Sequence, residues 1–121
     1  MPALAWFEIA ATDLDRATAF YEEVFQFTAT REDIGDGDVK SLIPSGEGFG
    51  GAISHGPAWS PSLAGSIVYF DGGHDLQDVL DRVVAAGGEI VEPKQTVDAT
   101  TGYWARFKDT EGNIVGVLSP H

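Results

Sequence analysis

Leu4-Ala5-Trp6-Phe7-Glu8-Ile9-Ala10-Ala11-Thr12-Asp13-Leu14-Asp15-Arg16-Ala17-Thr18-Ala19-Phe20-Tyr21-Glu22-Glu23-Val24-Phe25 changes its hydrophobic period half-way. Up to Ala11 the residues alternate. Trp6, Glu8 and Ala10 share one face and Phe7, Ile9 and Ala11 the other, the pattern of a strand with two unlike faces. Thr12 or Asp13 then offers an N-cap. Leu14, Ala17, Phe20, Tyr21, Val24 and Phe25 follow at helical spacing, so residues 13–25 are predicted as an amphipathic helix. Three strands are predicted beyond it, at Thr28–Asp33, Val39–Ile43 and Phe49–Ser54. Turns at Gly35-Asp36-Gly37-Asp38 and Gly46–Gly48 separate them. The order is βαβββ.

The same order returns from Ser66. Ser66–Phe70 is a strand, and Gly72-Gly73-His74-Asp75 is a turn and cap, with His74 expected to cap the helix. Leu76, Val79, Leu80, Val83 and Val84 mark a helix over 75–86 that stops at Gly87-Gly88. Glu89–Glu92, Tyr103–Lys108 and Asn113–Leu118 are the remaining strands. An internal repeat of this kind constrains the fold more than any one motif. The prediction is an α+β protein of two tandem βαβββ modules, residues 1–54 and 66–121. They are joined by a Pro-containing linker, 55–65, and make one domain with a curved, cup-like mixed sheet. One face of each sheet is covered by its helix and the other is left open. In the last hairpin Tyr103, Ala105, Phe107, Val115 and Val117 suit the covered face. Trp104, Arg106, Ile114, Gly116 and Leu118 fall on the open one, a mixture better suited to lining a pocket than to forming a core.

Composition narrows the function. Nineteen acids against seven bases give a net charge of −12, which repels phosphate backbones and anionic lipid surfaces, so neither nucleic acid nor membrane is an expected partner. The absence of cysteine removes disulfides, thiol nucleophiles and thiolate metal sites. With no basic leader and no apolar run of membrane-spanning length, the chain is expected to be cytoplasmic. Ser-His-Asp order, phosphate loop and dinucleotide fingerprint are all missing.

Three stretches carry a family resemblance. Asp13-Leu14-Asp15-Arg16-Ala17 running into Ala19-Phe20-Tyr21 and Val24-Phe25 resembles the first-helix signature of the vicinal-oxygen-chelate superfamily of glyoxalase I, bleomycin-resistance proteins and extradiol dioxygenases. Asp109-Thr110-Glu111-Gly112-Asn113 resembles its last hairpin, D-P-x-G-N, with Thr110 in the proline position. Val84-Ala85-Ala86-Gly87-Gly88 resembles the end of its second helix. The resemblance implies a cup in which catalytic members hold one divalent metal by His, Glu or Gln from the first and last strands of each module. Carried onto this sequence, those positions are Trp6, Gly51, Ile67 and Gly116, none with a ligating side chain. The expectation is therefore a metal-free site.

Five residues are the expected ligand-binding set: Trp6, Glu8, Tyr69, Trp104 and Arg106, sharing one cavity. Trp6, Tyr69 and Trp104 provide flat walls for a planar ligand. Glu8 is the candidate catalytic residue, facing the cup as a general base or pairing with a cation; otherwise it is half-exposed or salt-bridged to Arg106. Arg106 lies across the hairpin from Gly116, where the missing side chain leaves room for a ligand carboxylate or phosphate. Trp59, in the linker, is placed to close over the pocket or to meet a partner chain. His55, His74 and His121 lack metal-ligand spacing. The leading expectation is a protein that binds a small organic molecule without metal, cofactor or turnover, as a homodimer. The alternative is a glyoxalase-type lyase, isomerase or dioxygenase using one divalent metal ion.

Overall fold

A computed structural model describes residues 4–44, 46, 50–98 and 102–121. Gly48 of the second turn and Phe49, the expected start of the fourth strand, lie outside the described residues. The elements run β1 (Phe7–Ala10), α1 (Leu14–Phe25), β2 (Thr30–Gly35), β3 (Asp38–Ile43), β4 (Gly51–His55), β5 (Tyr69–Asp71), α2 (Leu76–Ala85), β6 (Glu89–Asp98), β7 (Gly102–Lys108) and β8 (Ile114–Ser119). They form two four-stranded mixed sheets of matching order, β1-β4-β3-β2 and β5-β8-β7-β6. In each, the first strand of the module pairs parallel with the last, and the other pairings are antiparallel. The chain is thus the doubled βαβββ unit that its periodicity predicts.

Local chemistry sets the boundaries. Asp13 caps α1 by accepting from Arg16 N–H, and Asp75, not His74, caps α2 by accepting from Gln77 N–H. A carboxylate on an extended backbone reaches the first-turn amides, whereas the His74 ring packs at a tilt against His121, their centres 4.4 Å apart. The β2–β3 turn holds Gly35, Asp36 and Gly37 at φ 98°, 57° and 83°, a left-handed run that glycine enters without a steric penalty. Strand β6 outruns its expected end at Glu92. Pro93 does not stop it because β6 is an edge strand, and the β6–β7 register shifts between Glu92 and Gln95 to absorb the missing N–H.

Both helices lie on one side. They touch each other and bury Leu14, Ala17, Phe20, Tyr21 and Val24 from α1 with Leu76, Val79, Leu80 and Val83 from α2. One core runs through both modules. Its junction is aromatic: the ring of Phe70 stacks on Phe25 at 4.2 Å and takes the edge of Phe7 at 5.5 Å. Alternation sends Ile9, Ser41, Ile53, Ala105, Phe107, Val115 and Val117 into this core, so the opposite faces of both sheets open together on the other side.

The loop Asp109–Asn113 clamps the modules. Glu111, whose side chain is fully buried, accepts from Thr12 N–H at 2.9 Å and Asp13 N–H at 2.8 Å, just ahead of α1. Arg16 grips it with Nε at 2.7 Å and Nη2 at 3.0 Å, a two-point contact on one carboxylate. Burial pushes the Glu111 carboxyl up, but the bonds from Arg16 and Asp13 outweigh it and leave the group below its ordinary range. Asp109 accepts the Tyr21 hydroxyl at 2.6 Å, and Asn113 donates to Ala10 O at 2.7 Å. Burial, with the Asp109 charge beside it, holds Tyr21 neutral far above neutral pH.

Candidate functional site

The open face of the first sheet is built around Glu8. Registers Glu8↔Ala52 and Lys40↔Ser54 bring three polar side chains from β1, β3 and β4 together. Ser54 Oγ donates to Glu8 Oε1 at 2.7 Å, Lys40 Nζ donates to Ser54 Oγ at 3.0 Å, and Lys40 also pairs directly with Glu8. Partial burial raises the Glu8 carboxyl, but Lys40, Ser54 and Trp6 together hold it below its ordinary range. One of the alternatives for Glu8 was an ion pair with Arg106. Lys40 takes that place because it lies on the same sheet, whereas Arg106 belongs to the other one. Lys40 Nζ also lies 4.6 Å from the centre of the Trp59 ring.

The open face of the second sheet carries an aromatic and cationic wall. Arg106 Nε donates to the Tyr69 hydroxyl at 2.6 Å, and the guanidinium sits 4.7 Å from the Trp104 ring centre and 5.7 Å from that of Tyr69. Gly116 does not leave a gap for a ligand, as its position opposite Arg106 suggested. Its parallel neighbour Tyr69 fills the space, so a Cβ at Gly116 would stand 2.3 Å from that ring. The glycine therefore positions Tyr69, and Tyr69 positions Arg106.

Tyr69, Trp104 and Arg106 share a hollow of about 270 Å³ with Val97 and Leu118. Glu8 does not join them. It lines a separate hollow of about 270 Å³, with Trp59 and other linker residues opposite. Trp6, 47% exposed, lines neither and stands beside Glu8 on the open side. The single cavity expected for all five residues is thus divided in two. A larger recess of about 490 Å³ lies outside the start of α1. Its arginines are already paired, Arg16 with Glu111 and Arg31 with Asp15, which makes it a solvated surface.

The metal positions are tested by their donors. Trp6, Ile67 and Gly116 fall on the open side by alternation from Glu8, Tyr69 and Arg106. Gly51 does not. It lies on the helix side, where a Cβ would meet the Phe7 ring at 2.5 Å, and its neighbour Ala52 takes the open side. Indole, two aliphatic groups and a hydrogen cannot ligate a cation. Glu8, the carboxylate two residues from the Trp6 position, is held by Lys40. Among the described residues, no three His, Cys, Asp or Glu side chains gather as a metal cage. His55 Nδ1 contacts Ala11 O at 3.0 Å, and His74 packs at a tilt against His121. The residues present do not fit a resident divalent metal.

Sequence reasoning missed Lys40, Ser54 and the clamp residue Glu111. Lys40 alternates with Val39 and Ser41 and so was legible as an open-face residue. Its meeting with Glu8 depends on the β1-β4-β3 order. Among the described residues no helix is long and apolar enough to cross a membrane.

The model of the Glyoxalase/Bleomycin resistance protein/Dioxygenase superfamily matches residues 3–117. Among solved structures, a glyoxylase/bleomycin resistance protein/dioxygenase domain from Frankia sp. EAN1pec is 17% identical, with TM-score 0.75, over 100% of this chain and 99% of that one. The fosfomycin resistance protein FosX from Listeria monocytogenes is 18% identical with TM-score 0.70, over 98% and 93%. A glyoxalase I variant from Zea mays is 15% identical with TM-score 0.75, over 95% of this chain but 44% of its own. No curated protein matches.

Proposed function

The chain belongs to the glyoxalase/bleomycin resistance protein/dioxygenase superfamily, and we propose that within it this protein binds a small planar organic molecule without a metal. The observation that carries this reading is the wall of the second sheet. There a guanidinium is held between two aromatic rings at the mouth of a mainly apolar hollow. Such a wall stacks on a flat ring and offers it one fixed positive charge. The donor set supports metal independence, because the four strand positions that would supply ligands carry none.

The alternative, a metal-dependent lyase, isomerase or dioxygenase, lacks residues to hold its metal. A metal-free enzyme with Glu8 as base fares little better. A carboxylate paired with Lys40 and Ser54 and held below its ordinary range is a poor proton acceptor near neutral pH. Glyoxalase I and FosX, at 15% and 18% identity, are neighbours in fold alone.

The reading includes a homodimer in the cytoplasm. Trp6, Tyr69, Val97 and Leu118 leave apolar surface exposed, 47%, 37%, 44% and 43% respectively, and β2 and β6 end their sheets as open edges. A thermal-shift panel of small planar aromatics, anionic, neutral and cationic, tests the reading, since a ligand selective for the native state raises its midpoint. A shift that disappears in Trp104→Ala supports it. A panel without a shift, or shifts indifferent to Trp104 and Arg106, would overturn it.

A further inference from the structure

Residues 57–66, between β4 and β5, cross the open side of the molecule. The hollow that holds Glu8 has Ala10, Val68 and Ile114 as its sheet side and Trp59, Ser60 and Ser62 as its cover. This cover is lightly attached. Among the described residues its outward bonds are Ser62 N–H to Asn113 Oδ1 at 3.1 Å and the contact of the Trp59 ring with Lys40 Nζ at 4.6 Å. Its other bonds stay local: Trp59 N–H to Gly56 O at 3.1 Å, and Ser62 Oγ to Ala64 O at 3.0 Å. Leu63, its one large aliphatic side chain, is 62% exposed and anchors nothing.

Both fixed points sit on rigid supports. Lys40 is held from behind by Glu8 and Ser54, and Asn113 is locked between Ala10 O and Asp109. A segment with two attachments, lying on a framework with many, opens at a lower free energy than the framework unfolds. Trp59 meanwhile places a flat ring on a cation at the edge of a hollow. A planar ligand in this hollow would make the same contact.

We propose that residues 57–66 form a strap that lifts as a unit, with the Trp59–Lys40 contact as its catch, and that a planar organic molecule gains a second seat by replacing the Trp59 ring over Lys40. The seat rests on the small-molecule reading above; the strap does not.

The chain has no cysteine, so Ala10→Cys puts a single thiol beneath the strap. Its labelling by an aromatic disulfide reagent should be slow, insensitive to low urea, and faster in Trp59→Ala by about 2–10-fold, the worth of one cation–π contact. Labelling that tracks global unfolding, or that Trp59→Ala leaves unchanged, would overturn the strap. Should the thiol variant fail to fold, amide exchange in the unmodified chain decides the matter. Ser62 N–H exchanging well before the core amide of Ile53 supports the strap, and simultaneous exchange refutes it. The seat is read with anilinonaphthalene sulfonate, an anion with a flat naphthalene ring, which should associate faster with Trp59→Ala. Faster labelling with no dye bound by either form would overturn the seat and leave the strap standing.

Discussion

Replacing Glu111 by alanine should loosen the joint between the modules. The carboxylate accepts five hydrogen bonds, from Thr12 N–H, Asp13 N–H, two Arg16 nitrogens and the Thr110 hydroxyl. Its own side chain is fully buried while that of Arg16 is 51% exposed. Water can therefore take over much of the Arg16 contact, whereas the two amides lose a buried charged acceptor. Charge-assisted bonds of this kind, discounted for solvent on the arginine side, put the loss at about 2–4 kcal/mol. For a domain of this size that lowers the melting midpoint by roughly 8–15 °C. Glu111→Gln keeps an acceptor without the charge and should fall between the two. Urea titration followed by circular dichroism reads the difference, with the exposed Glu23→Ala as a control near zero. The effect has a pH signature. The folded-state pKa of Glu111 lies below the ordinary 4.5, so its stabilisation is complete above the unfolded value and is lost as pH falls through the folded one. The gap between wild type and Glu111→Gln should therefore close in acid. A Glu111→Ala protein within about 0.5 kcal/mol of wild type, inside the range of ordinary surface changes, would refute the clamp.

Gly116→Ala should displace the Tyr69 ring and with it the hydroxyl that holds Arg106, costing about 1–3 kcal/mol of stability and altering the near-ultraviolet dichroism; an unchanged spectrum would contradict the packing. Arg106→Ala should weaken an anionic planar ligand by about 1.5–3 kcal/mol while leaving the fold intact, measured by titration calorimetry. Sedimentation velocity at micromolar concentration should give the mass of two chains; a monomer would count against the homodimer.

The architecture was legible because both periods are strong. Leu14 to Val24 and Leu76 to Val83 mark helices whose apolar stripes face the core, and the order repeats. Glu8, Trp104 and Arg106 were placed on the open side by alternation alone, and that placement needs only the strand register. What escaped the sequence depends on contacts between distant segments. Glu8 meets Lys40 across 32 positions and Glu111 reaches Thr12 across 99, separations on which local pattern is silent. The reading of Gly51 slipped by one residue, which in a strand moves a side chain to the opposite face. Gly116 was read as empty space, although the ring that fills it comes from β5, its parallel neighbour. The expected end of β6 at Glu92 fell short of Asp98 because nothing local marks β6 as an edge strand.

The most direct test of a metal-free binding protein is calorimetric titration of the best ligand from the thermal-shift panel into chelator-treated protein, repeated after adding one equivalent of nickel, zinc, iron or manganese. Equal affinity in the absence and presence of each metal is the predicted result. Binding that vanishes on chelation and returns with a single equivalent of one metal would contradict the account.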